Sequence, residues 1–164
     1  MAKKSLGEIS RLVPCSVTFL SVATEGKQDA MTASAMFVSE SPPLLVISVA
    51  KHIVSHDMIE KAGEFVLNVA STDQVKMAMQ LGFTHGGEID KFKKFNISRE
   101  RARKIGSPLI KGCYANLECK VITSLSAANY IIYLAEVVAH KVDDKLTPIA
   151  WHRNKYFALN EEIH

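Results

Sequence analysis

Between Ser16 and Ala50 the chain presents three β-branched, apolar runs joined by linkers too short to hold a helix. SVTFLSVAT runs from Ser16 to Thr24, EGKQD makes a polar turn, and residues 30–38 resume as a strand. Ser-Glu-Ser-Pro-Pro breaks that strand, and LLVISVA follows to Ala50. Parallel neighbours need a crossover of roughly a dozen residues or more, so this series is expected to form an antiparallel meander.

Downstream, helical spacing runs from Ile53 to Ala62 and stops at Gly63, with Asp57 early and Lys61 late, matching the helix dipole. A strand, FVLNVAS, precedes a second helix, STDQVKMAMQLG, in which Ser71 and Gln74 have capping-box spacing. Its apolar positions, including Val75, Ala78 and Leu81, read as core, and Gly82 as the stop. The stretch Phe83 to Leu109 is the least regular, and a loop of that length is expected to be functional or mobile. Three more strands are expected: CYANLECKVITSL, YIIYLAEVVAHKV and PIAWHRNKYFAL. The order predicts a mainly β single domain over residues 1–164, an antiparallel barrel with helices covering its ends. A six-stranded barrel has little interior volume, so a sizeable ligand is expected outside it.

A content of 48% hydrophobic and 23% charged residues in 164 is that of an ordinary globular domain. No apolar run approaches about 18 residues, and MAKKSLGEIS lacks an apolar signal core, so a cytoplasmic, non-membrane protein is expected. Net charge is +3, and the densest basic run, RERARK from Arg99 to Lys104, carries no interleaved aromatic. It reads as the solvated face of a short helix, able at most to steer a phosphate-bearing small molecule; nucleic acid is not expected. The three cysteines argue against a disulfide framework, and Cys113 and Cys119 are expected on one face of a strand, in the core. His52 and His56 stand at i, i+4, but His52 precedes the helix and no metal is expected.

Two stretches carry chemistry. In Thr32-Ala33-Ser34-Ala35 a core strand would carry large side chains, and small ones let a flat ligand approach the backbone. The same residues also suit a strand against which a helix packs. In VISVAKHIVSHDMI, residues 46–59, a strand ends and Ser55 sits where a helix begins, beside Lys51. Unpaired helix N–H groups, an ammonium and a hydroxyl would hold a phosphate; Ser55 reads equally as a plain helix cap.

Together, MTASAMFVSESPPLLVISV, GEFVLNVAS, GGEIDKF, LECKV and TPIAWHRNKYFAL resemble the flavin reductase-like family of FMN-binding split barrels, roughly from Leu12 to Leu159. That family includes short-chain flavin reductases, flavoredoxins and an archaeal ferric reductase. The resemblance implies FMN in a groove of a homodimer interface, its ring against Met31, Thr32, Ala33 and Ser34. It implies phosphate contacts from Ser48, Val49, Ala50, Lys51, Ser55 and His56. DKF matches at Asp90, Lys91 and Phe92, with Thr84-His85-Gly86-Gly87 before it where Ser-Gly is common. WHRNKY resembles the His-Arg-Gly-x-Tyr pattern of the reductases, with Asn154 for Gly, and makes His152 a candidate for the nicotinamide side.

The implied activity is hydride transfer from NAD(P)H to flavin, or through bound flavin to another acceptor, such as a flavin-dependent monooxygenase or a redox protein. The cofactor supplies the reactivity, so the protein needs position and a hydrogen-bond donor rather than an acid–base dyad. Thr32 and Ser34 are the candidates for that donor. Two rival readings are a flavoredoxin-like carrier reduced by a protein partner, and a flavin-binding barrel without turnover.

Overall fold

The computed structural model describes residues 9–84 and 89–163. His85, Gly86, Gly87 and Glu88, part of the expected flavin-loop motif, lie outside the described residues. The strands are β1 (Cys15–Ser16), β2 (Thr18–Thr24), β3 (Lys27–Ala33), β4 (Ala35–Glu40), β5 (Pro43–Ala50) and β6 (Glu64–Val69). They continue as β7 (Arg99–Glu100), β8 (Leu109–Ile110), β9 (Ala115–Ala127), β10 (Tyr130–Val142), β11 (Ile149–His152) and β12 (Lys155–Ala158). Helices α1 (Val54–Ala62), α2 (Val75–Phe83) and α3 (Lys91–Lys94) complete the order.

Seven strands form the main sheet, in the order β3-β2-β6-β9-β10-β5-β4, so the meander expectation holds only in part. β2 pairs β3 and β4 pairs β5 antiparallel, but β3 and β4 lie at opposite edges. Only Ser34 separates them in sequence. A single residue cannot cross a flat seven-stranded sheet, because one residue spans at most about 3.6 Å and strands stand about 4.8 Å apart. The sheet must therefore curl until its edges meet, and β3 does approach β5. The result is a split barrel, and the expected continuous strand over residues 30–38 is broken at the split.

Period-2 alternation sends the two faces into separate cores. Leu20, Val22, Leu45, Ile47, Val49, Phe65 and Tyr133 fill the barrel with Met58 and Ile59 of α1. Phe19, Ala30, Ala78, Leu81, Phe92, Ile110 and Ile149 pack outside it, under α2 and α3. Gly63 ends α1 at φ 65°, as a left-handed stop should. Gly82 does not end α2, which runs on to Phe83. Gln74 accepts the Ser71 N–H at 3.1 Å, the reach-back half of a capping box.

Three other expectations fail. PIAWHRNKYFAL is not one strand but the hairpin β11–β12, turned at Arg153 (φ 48°) and Asn154 (φ 63°). RERARK is not a helix: β7 opens it, and the chain after it is pinned by carboxylates. Buried Glu118 accepts the N–H groups of Arg103 at 2.9 Å and Lys104 at 2.7 Å, and Glu64 accepts those of Gly106 and Ser107. Ala102, Ile105, Leu109 and Ile110 are buried, so this segment is packed rather than loose. Cys119 lies on β9 inside the barrel, whereas Cys113 sits in the turn before it, in the outer core. Both are buried as expected, but they do not share a strand; burial pushes each thiol up to about 12. Among the described residues no helix is long and apolar enough to cross a membrane.

Candidate flavin site

The split left by Ser34 exposes the end of one strand pair. Ala35 pairs with Ile47, where the β4–β5 ladder begins. Ser34 and Ser48 are each one residue beyond that rung, and both are exposed. β5 then continues to Ala50 with β10 on one side, Ser48 opposite Ile132 and Ala50 opposite Tyr130. On its other side no described strand pairs with Ser48–Ala50. An unpaired strand edge beside two hydroxyls can hydrogen-bond the polar rim of a flat ligand.

Behind Ser34 lies a cleft of about 230 Å³ with Thr32, Ala33, Ser34 and Gly82 as small walls and Met79, Phe83, Trp151 and Tyr156 as large ones. Thr32, Ala33 and Ser34 divide their tasks. The Thr32 hydroxyl donates to the Ala78 carbonyl at 2.8 Å and ties β3 to α2. Ala33 is buried, with its carbonyl accepting from Thr18 at 2.7 Å. Ser34 has only a long contact, 3.5 Å, to the Ser16 carbonyl, so its hydroxyl is nearly uncommitted. Met31 is half-buried and packs against the barrel core. Thr32 thus serves helix packing, whereas Ser34 is left exposed on the lining of the cleft.

The turn after β5 is held from several directions. Lys51 donates to the Ser126 hydroxyl at 2.7 Å and the Ala128 carbonyl at 2.8 Å, on the β9–β10 hairpin, while its side chain stays exposed. Val49 and Ala50 are buried. Ser55 is fully buried and donates to Asp29 at 2.5 Å. Asp29 in turn accepts from Lys91 at 2.9 Å, and Lys91 also donates to the Ala30 carbonyl. The Ser55 hydroxyl, expected to meet a phosphate or cap its helix, is instead engaged inside the protein and ties the start of α1 to β3.

His56 Nδ1 lies 2.6 Å from the Tyr133 hydroxyl, which donates to Glu60 at 2.7 Å. With that donation the phenol oxygen accepts from His56, which fixes the ring's orientation. Burial, then the neighbouring Glu60, pushes the Tyr133 phenol above its ordinary value.

Asp90 caps α3 by accepting the Lys93 N–H at 3.1 Å, and Phe92 is buried in the outer core. His152 does not line the cleft; it stands 6.5 Å from the Phe157 ring. Its neighbour Trp151 does line the cleft, with Tyr156, its register partner across the hairpin. The sequence reading missed Trp151, Tyr156 and Phe83. Alternation supplies the signal: Trp151 and His152 face opposite sides of one strand.

A family model described as "Flavin reductase like domain" matches residues 10–160. The NADH-dependent FAD reductase of Streptomyces globisporus is 29% identical over 126 residues, 76% of this chain and 68% of that protein. The reductase component of 4-nitrophenol 4-monooxygenase/4-nitrocatechol 2-monooxygenase from Rhodococcus opacus is 26% identical over 141 residues, 85% of this chain and 72% of that one. The solved Streptomyces globisporus C-1027 NADH:FAD oxidoreductase, in complex with NAD and FAD fragments, superposes with a TM-score of 0.84 at 26% identity, covering 96% of this chain and 93% of that one. With the broken strand at Ser34, the split barrel and a match over nearly its whole length, the chain belongs to the flavin reductase-like family.

Proposed function

We propose that this enzyme oxidises NADH or NADPH and reduces a flavin, FMN or FAD, held along the split between β3 and β5. The observation that carries this reading is the unpaired edge of Ser48–Ala50 beside the exposed Ser34, opening on the small-walled cleft. The donor set fits a flavin: strand-edge amides and the Ser34 and Ser48 hydroxyls for the ring's polar rim, and Lys51 with the first turn of α1 for a phosphate. When bound, the flavin supplies the hydride-accepting centre.

The chain's own residues bind, orient and exclude water. Ser34 is the donor placed to tune the ring, Thr32 fixes the strand behind it, and Phe83, Trp151 and Tyr156 keep the cleft apolar. Asp29, Ser55 and Lys91 hold β3, α1 and α3 in one arrangement. His152, half-buried and next in sequence to the cleft-lining Trp151, is assigned to the nicotinamide side.

A homodimer fits the same face. Met36, Phe37 and Val38 are consecutive exposed apolar residues on β4, an edge strand, and such an edge calls for a covering partner. The relationship to a monooxygenase reductase component supports delivery of reduced flavin to a separate oxygenase.

The test is an anaerobic absorbance titration with FMN and then FAD, followed by NADH and then NADPH, with sedimentation of the same samples. Bleaching of the bound oxidised flavin by either nucleotide is the expected result. A flavin that binds yet stays oxidised with both would overturn the reductase reading in favour of a carrier reduced by another protein. A flavin-saturated monomer would overturn the interface.

A further inference from the structure

Away from the split, a second cleft of about 690 Å³ opens between the β2–β3 hairpin and the pinned segment 96–111. That volume lies within the roughly 300–1,000 Å³ range of small-molecule sites. Its lining is rich in cations and hydrogen-bond donors: Arg99, Arg101 and Lys111, with Asn96, Ser98 and Gln28 among the neutral ones. The one carboxylate in the lining, Glu100, is paired with Lys141 of β10. Among the described residues none of the three cations has a carboxylate partner; Arg99 only overlies the Phe92 ring, at 5.6 Å. Apolar surface from Ala23, Ile97 and Pro108 completes the walls.

Three cations around a concave, partly apolar seat, with the local acid already neutralised, form a trap for a multiply charged anion that also carries a flat organic group. We infer that this cleft binds a pyrophosphate-bearing nucleotide, at a site separate from the flavin split. A single-stranded nucleic acid would require stacking aromatics, and the lining has none. The seat is also firm, because Glu118 and Glu64 fix residues 103–107 through four backbone N–H groups. The same chemistry has two sources, a free nucleoside diphosphate or the adenylate arm of a dinucleotide.

The experiment is calorimetric titration of ADP into the full-length protein, with and without saturating FMN, and then into R101E, K111E and K145E. Lys145 is an exposed cation outside the cleft and controls for net charge. ADP is expected to bind the FMN-saturated protein, and to weaken at least tenfold in R101E and in K111E but not in K145E. FMN affinity and the rate of flavin reduction by NADH at saturation are expected to stay unchanged in these variants. Adenosine, lacking the phosphates, should bind much more weakly than ADP. If NAD or FAD then competes with ADP while FMN does not, the occupant is the adenylate arm of a dinucleotide; if neither NAD nor FAD competes, it is a free nucleotide.

Failure of ADP to bind, equal weakening in K145E, or displacement of ADP by FMN would overturn the inference. None of these outcomes touches the flavin titration, which tests the split independently.

Discussion

At Asp29 and Ala30, β3 is closed by a buried ion pair with Lys91 and a hydrogen bond from Ser55; at its other end, Ser34, the strand breaks and leaves a hydroxyl in solvent. One strand thus carries two polar regions with opposite treatments. At the closed end every charge has a partner and the groups join three elements. At the open end the polar groups have a poor partner or none, which is the state a ligand needs to find. Buried charge here serves to hold the frame, and the exposed hydroxyls and unpaired strand edge are the groups proposed to bind.

The largest effect is expected from the closed end. Lys91→Met leaves Asp29 buried without its cation, and breaking a buried pair costs about 3–5 kcal/mol. Denaturant unfolding of the protein without flavin should show it, and Asp29→Asn in the same chain should recover part of the loss. A cost below about 1 kcal/mol would mean that water reaches the pair, and the distinction between the ends would fall.

Ser34→Leu should do the reverse. An exposed position tolerates substitution to within about 0.5 kcal/mol, so the unfolding midpoint should hold. A bulkier side chain in the seat should nonetheless weaken flavin tenfold or more, a loss of about 1.4 kcal/mol. If flavin affinity is unchanged, the seat lies elsewhere.

Lys51→Glu sharpens the open end further. An exposed ion pair is worth on the order of 1 kcal/mol, so FMN should bind roughly fivefold more weakly at low salt. Riboflavin, without the phosphate, should be little affected. Equal losses for both would transfer Lys51 from ligand binding to its visible task, bracing the β9–β10 hairpin through Ser126 and Ala128.

How far the sequence reveals each end follows from what each depends on. Antiparallel pairing, α1 with its Gly63 stop, and the thin strand at TASA rest on local signals, period-2 alternation and short linkers, and these were legible. The break at Ser34 was not, because closure of the sheet is a property of all seven strands. The Asp29–Lys91 pair joins residues from β3 and α3, and nothing local to either marks the partner. For the same reason Ser55 read as a phosphate contact or a helix cap when its acceptor was a distant aspartate. RERARK misled because Glu118, on β9, accepts the Arg103 and Lys104 N–H groups and so supplies backbone partners that a helix would otherwise provide. Trp151 and Tyr156 were within reach: Arg153-Asn154 is a polar break in the run, and a two-residue hairpin turn there pairs Trp151 with Tyr156 on one face.

Thr32→Val tests the boundary between the two ends, since Thr32 sits between them. Valine keeps the shape and removes the hydroxyl that reaches Ala78, so stability should fall by about 1 kcal/mol. The reduction potential of bound flavin and the rate of its reduction by NADH should stay as they were, because that hydroxyl already donates to a helix carbonyl. Ser34→Ala, which removes the uncommitted hydroxyl, should shift the potential while leaving stability within about 0.5 kcal/mol. A shifted potential in Thr32→Val with unchanged stability would reverse the assignment: Thr32 would then turn toward the flavin on binding, and the seat would begin two residues earlier in β3 than its free state shows.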